Sequence, residues 1–281
     1  MSTAASAPPA TSSAAGGSGT RFAFGRYLLA EWTKLRSVRS TIWALILFVV
    51  ITLGFTLLFT GLTAGQWDST DASQRAEVVR DPVSTILGSG LFLGQLTICV
   101  LGVMVVTSEY STGMIRASLL AVPKRLPMLA AKSIVFGVTV LFIGEIIAFP
   151  SFFIGAAILH KYAPVALGDP GVLRAVIGAG LYLCVLGLFS LAIGAIVRHT
   201  AGAITGVIGF VLVLAPLTQL LPGNLGRHVH AYLPSEAGQL IASAHPDPDN
   251  VLSPWQGFGV FCLWVAVLFA IAGYLLQRRD A

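Results

Sequence analysis

Few residues in this chain are of a type and spacing that could do chemistry. Glu145 stands alone inside an apolar run, where a charge costs about 2.5 to 3.5 kcal/mol on insertion scales and so faces a cavity or a partner. A pathway or gating residue, a proton relay and a structural carboxylate near Pro150 all fit. Residues 222–254 hold His228, His230, His245, Asp247 and Asp249. These are ligand types for zinc or copper, but they lack the regular Cys/His spacing of a structural site, so solvent exposure is expected and no metal. Cys99, Cys184 and Cys262 are odd in number and lie in apolar runs; they read as packing residues rather than as disulfides or a CxxC site. Ser190 and His199 have no GxSxG elbow, Glu145 has no acidic mate, and Asp247-x-Asp249 is a single pair. Nucleophilic, aspartyl or magnesium-phosphate chemistry would need more converging groups. No G-x-x-x-x-G-K-[ST] phosphate loop occurs either, so the chain cannot hydrolyse ATP by itself and is not read as an enzyme.

The densest polar segment is 108–125, which contains Glu109, Tyr110, Gly113 and Arg116 and closes on Pro123-Lys124-Arg125. Ser111 or Thr112 can cap a short helix there and Pro123 can end it. An ordinary polar turn with basic anchors is the plainer reading. Upstream, Phe24, Leu28, Trp32, Leu35 and Val38 recur at helical spacing, with Arg26, Thr33, Lys34 and Arg36 mostly elsewhere on the wheel. This predicts an amphipathic helix over 21–40 that lies at a membrane interface. Glu31 falls inside the apolar arc, which suits a protein partner or a nearby cation better than lipid.

The elements that must position these groups follow from composition. Of the 281 residues 56% are hydrophobic and 10% charged, with a mean hydropathy of +0.84, against roughly a quarter charged in soluble domains. A soluble globular protein is excluded. Residues 1–20 contain little but small uncharged residues and read as a disordered tail. A six-span domain over 41–281 follows, with apolar runs at about 41–63, 82–107, 133–159, 175–197, 203–221 and 255–276; each is long enough to cross ~30 Å of hydrocarbon as a helix. The expected fold is thus an all-α polytopic membrane protein with both termini on one side. Placing the N-terminus in the cytoplasm puts twelve of seventeen Lys and Arg inside, for a balance of +9 inside and −3 outside. That agrees with the positive-inside rule, and the overall charge of +5 reads as topology rather than nucleic-acid binding. Gly90–Gly94 and Gly202–Gly206 are small-xxx-small spacings that suit close helix packing or a dimer face.

Trp32-Thr33-Lys34-Leu35-Arg36 before the first run, Glu109-Tyr110-x-x-Gly113-x-x-Arg116 after the second and Pro123-Lys124-Arg125 before the third together resemble the permease subunit of a type-2 ABC transporter from bacteria. The motifs cover about 31–132, and six-span hydropathy extends the resemblance over nearly the whole chain. In many relatives the glycine is followed by Thr, where this chain has Met114. The resemblance implies that segment 108–125, through Glu109, Tyr110, Gly113 and Arg116, is a coupling helix docking on a separate ATP-binding cassette subunit. It implies too that Glu31, Lys34 and Arg36 belong to a connecting helix beside that interface. ATP and magnesium would sit on the partner, with no cofactor in this chain. A second permease copy, identical or related, would complete an efflux pathway in the plasma membrane, and loop 222–254 would cover its outer end. A non-transporting assembly, sensor or immunity protein would carry the same hydropathy.

Overall fold

The computed structural model describes residues 18–111, 125–218 and 220–278. Among these there is no strand. In chain order the helices are α1 (Ser18–Ser37), α2 (Arg39–Gly65), α3 (Ala72–Arg80), α4 (Pro82–Ser111), α5 (Arg125–Leu159), α6 (Val172–Val197), α7 (Thr200–Thr218), α8 (Gly223–Ala231), α9 (Pro234–Gln239) and α10 (Pro254–Arg278). Six of them, α2, α4, α5, α6, α7 and α10, are long and apolar enough to cross a membrane. The chain is an all-α multi-pass membrane protein.

Local chemistry sets the boundaries. Val38 takes an extended conformation, φ −82° and ψ 109°, and separates α1 from α2. Asp81 starts α4 by accepting a hydrogen bond from the Ser84 amide at 3.1 Å, with Pro82 in the first helical position, where its missing N–H costs nothing. Arg198 ends α6 in the left-handed region at φ 59°, a conformation that a non-glycine residue adopts only when its surroundings hold it. His199 then caps α7, its Nδ1 accepting from the Gly202 amide at 3.2 Å.

Several expected edges shift. The first helix begins at Ser18, inside the stretch read as tail, and α5 begins at Arg125 rather than near Ser133. The His199 cap starts α7 at Thr200, and π turns over Gly209–Leu214 carry it to Thr218. In α9, Pro234 occupies the first helical position after Leu233, and a 3-10 turn, Leu240–Ala242, follows.

The core is built around α6 and α4, whose apolar windows are 72% and 61% buried; those of α2, α7 and α10 are 17%, 22% and 28% buried. Close approach depends on missing side chains. A Cβ at Gly90 would run into Thr56 Oγ1 and lie 2.6 Å from the Thr52 carbonyl, and one at Gly94 would overlap Thr52 Oγ1. That pair therefore packs α4 against the threonine face of α2 within the chain. At Gly206 a Cβ would meet nothing within 4 Å, so the second spacing joins no helices here. Arg198 donates to the Leu275 carbonyl at 3.4 Å and a Cβ at Gly273 would touch Leu126. These contacts place the ends of α6 and α10 and the start of α5 together, at the same end of the bundle as α1.

Candidate functional site

Four charged side chains meet at the α1 end. Glu31 of α1 is 7% exposed, Glu109 of α4 is 4% and Lys132 of α5 is 5%. Lys34 completes the set at the solvent edge. Lys132 Nζ lies 2.6 Å from Glu31 Oε2 and 2.8 Å from Glu109 Oε1. Lys34 Nζ lies 2.8 Å from Glu31 Oε1 and 3.0 Å from Glu109 Oε1. Each carboxylate thus touches both ammonium groups, and two negative charges balance two positive ones. Glu31 reaches the lysines with separate oxygens, whereas Glu109 uses one for both.

This balance is what permits the burial. Bringing an ion out of water costs several kcal/mol, and only well-aligned opposite charges offset it. Burial alone would push the Glu31 carboxyl up, but Lys132 and Lys34 hold it below the usual carboxylate value. Burial would likewise lower Lys34, and the hydrogen bonds and charges of Glu31 and Glu109 hold it above its ordinary value. Helix periodicity brings the groups together. Lys132 shares its face of α5 with Leu129 and Phe136, both buried, and Glu31 follows the same face of α1 as the half-buried Leu35. On the other side of α1, Leu29 and Trp32 are exposed.

The end of α4 is held from further directions. The Arg198 guanidinium carbon sits 5.2 Å from the Tyr110 ring centroid, within cation–π range, and Thr200 Oγ1 donates to Thr107 Oγ1 at 2.9 Å. The structure therefore joins three expected site residues, Glu31, Lys34 and Glu109, into one cluster, with Tyr110 beside it. Arg36 is exposed and stands apart. Gly113 and Arg116, with the short helix expected around them, lie outside the described residues.

Lys132 is the site residue that sequence reasoning missed. Its position three residues after Leu129 and four before Phe136 was the available signal, visible only when α5 is extended back to Arg125. Of the two readings of Glu31, a protein partner or a nearby cation, the chain itself supplies the second, through Lys34 and Lys132.

Glu145 is half-buried on α5, where its carboxylate occupies the space that a Cβ on Gly180 would take. Its Oε2 is buried without a hydrogen-bond partner. The α5–α6 contact there depends on a glycine, and the carboxylate is not held by a hydrogen bond through that oxygen.

The opposite end uses hydrogen bonds more than ion pairs. Asp81, 6% exposed, accepts from Ser84 Oγ at 2.8 Å, Ser243 Oγ at 2.6 Å and the His245 amide at 3.0 Å, besides the Ser84 amide. Burial would raise its carboxyl, and these donors hold it below its ordinary value. His230 Nε2 lies 3.3 Å from Glu236 Oε2, while its Nδ1 is 3.0 Å from Thr218 Oγ1. His228 bonds the Asn224 carbonyl of its own helix at 2.8 Å, and Asp247 pairs with Arg80 at 3.0 Å. Among the described residues no three His, Cys, Asp or Glu side chains converge as metal ligands. Compared with known proteins, the chain matches no family model and no curated protein.

Proposed function

We propose that this protein is the permease subunit of an ATP-driven exporter of the type-2 ABC kind, worked by a separate ATP-binding subunit in the plasma membrane. One observation carries the reading. The buried cluster ties α1 to the end of α4 through Glu109 and to the beginning of α5 through Lys132. Those two helices flank residues 112–124, the segment whose motif resembles a coupling helix.

The arrangement suits force transmission. A push on segment 112–124 reaches Glu109 on one side and Lys132 on the other, and each is paired to α1. Removing one partner of a buried ion pair costs about 3 to 5 kcal/mol, so the three helix ends move as one body rather than separately. Rigid elements joined in this way convert a closing movement of an ATPase into a tilt of the spans. The largely exposed apolar windows of α2, α7 and α10 leave room for lipid and for a second permease copy around the pathway. Glu145 lies on the α5–α6 contact and is assigned no transport role.

The test starts from the neighbouring reading frames: an ATP-binding subunit encoded there is co-expressed with this protein, and the pair is reconstituted in vesicles. Co-purification and ATP-dependent flux are expected. Arg36→Glu, an exposed change outside the buried cluster, should weaken co-purification while the protein still unfolds as the unmodified chain does. No ATPase retained by the unmodified protein, together with no nucleotide-dependent flux, would overturn the reading in favour of a non-transporting membrane module.

A further inference from the structure

At the α3 end two cavities share Ser84 and Ser243 in their walls. The wider one, about 810 Å3, is bounded by the ends of α2 and α4, by α3 and by residues 243–250. The inner one, about 270 Å3, lies between α4, α6 and the α9 region. Its size is near the lower end of ordinary ligand pockets, roughly 300 to 1,000 Å3.

The inner cavity has an amphipathic lining. Leu91, Phe92 and Leu240 supply apolar wall. The same lining carries a chain of polar groups from three elements: Tyr182 of α6 donates to Gln95 Oε1 of α4 at 2.7 Å, and Gln239 Nε2 of α9 donates to Tyr182 Oη at 3.2 Å. This pairing has a consequence for polarity. The Tyr182 proton and one Gln239 proton are committed inside the chain, which leaves the Gln239 carbonyl oxygen as an acceptor at the wall. Glu236, half-buried in the same wall, has its Oε2 beside His230 at 3.3 Å. The surroundings reinforce the sign: Glu77, Asp81 and Asp247 border the wider cavity, where Arg80 and His245 are the basic residues among the described lining, and Arg174 is bonded to the Ile241 and Ala244 carbonyls. The space therefore presents acceptors and negative charge together with hydrocarbon.

We propose that the inner cavity is a binding site for an amphipathic amine, with its ammonium group on Glu236 and the Gln239 carbonyl and its apolar body against Leu91, Phe92 and Leu240. The wider cavity is the entry, where the carboxylate excess gathers cations. No ATPase is involved in this binding, so the site stands or falls apart from the permease reading.

The experiment is equilibrium binding of phenylbutylamine to the full-length protein in nanodiscs of phosphatidylcholine and phosphatidylglycerol, with phenylbutanol as the neutral counterpart. The amine should bind saturably and the alcohol about tenfold more weakly or worse, since a hydrogen bond between an ammonium and a carboxylate is stronger than one from a neutral hydroxyl. Glu236→Gln should bring the amine down to the level of the alcohol. Gly88→Phe probes the space without touching a charge: Gly88 lines the cavity and a Cβ there meets nothing within 4 Å, so the ring enters the cavity, the fold survives and saturable binding disappears. Equal affinity for amine and alcohol, or unchanged amine binding in Gly88→Phe, would refute the site even if Glu236→Gln failed to fold. Phosphatidylethanolamine in the discs separates the two sources of such an amine: competition identifies a lipid headgroup, and its lack a soluble molecule.

Discussion

The two ends of the bundle stabilise buried carboxylates by different means. At the α1 end Glu31 and Glu109 are neutralised by lysines from two helices. At the α3 end Asp81 is equally buried but is surrounded by hydroxyl and amide donors, most of them from its own helix turn and from residues 243–245. Ion pairs in low dielectric are long-ranged and unforgiving, since a charge left behind has no substitute partner. Hydrogen bonds from several donors are short-ranged and divisible: losing one leaves three. The first device suits helix ends that must move together, and the second suits a loop anchored on a helix start.

The largest effect that this contrast predicts is at Lys132. Lys132→Met removes the cation shared by both carboxylates and should destabilise the protein by about 3 to 5 kcal/mol, read as a lower SDS or thermal unfolding midpoint in detergent. The double variant Lys132→Met/Glu109→Gln restores charge balance at this end and should be more stable than Lys132→Met alone. A double variant that loses the sum of both single losses would mean the cluster acts as separate contacts rather than as a unit.

Asp81→Asn should cost less, about 1 to 3 kcal/mol. The amide keeps an acceptor for the Ser84 or His245 amide, but its NH2 group opposes donors on the other side. A loss as large as that of Lys132→Met would erase the proposed distinction between the two ends.

The pH dependence sharpens the comparison further. Glu31 is held below 4.5 in the folded chain, so its contribution is complete above that value and fades as pH falls through the folded pKa. Lys34 is held above 10.5, so its contribution is complete below that value and fades as pH rises through the folded pKa. The α1 end should therefore be stable across roughly the whole interval between them, and Lys34→Met should remove the alkaline decline that this residue causes. Glu236 at the other end behaves oppositely: burial raises its carboxyl, partly countered by His230. Its contribution is complete below the unfolded value of 4.5 and fades as pH rises through the folded one. Glu236→Gln should stabilise the protein toward neutral pH, and unfolding midpoints across pH read both trends.

Much of this fold was legible because a membrane imposes length and composition on every span, and all six runs overlap the helices that formed. What hydropathy obscured was the polar extension of those helices. The run near Ser133 was cut off where Lys132 enters, yet the helix continues to Arg125 because a paired lysine is tolerated in its buried face. Glu31 was recognisable as misplaced in an apolar arc, but its partners were not, since one lies 101 residues away. The Gln95–Tyr182–Gln239 chain was invisible for the same reason: three polar residues on three elements have no spacing in common. The glycines at 90 and 94 gave their contact away through spacing, whereas Gly180 beside Glu145 did not.

The smallest expected effect is at Arg80–Asp247, the ion pair that most resembles the buried cluster on paper. Its 3.0 Å contact is as short as that between Lys34 and Glu109, but its side chains are 49% and 43% exposed. Water and salt screen such a pair, and holding two mobile side chains together offsets most of the attraction. The Asp249 amide also bonds Asp247, so the carboxylate keeps a partner without the arginine. Arg80→Ala should leave the unfolding midpoint unchanged within replicate scatter, at low and high salt alike. A clear loss that persists at high salt would show that this end is shielded from water in the assembled protein, by headgroups or by a second copy. The rule that separates the two ends would then be burial in the assembly rather than in the chain.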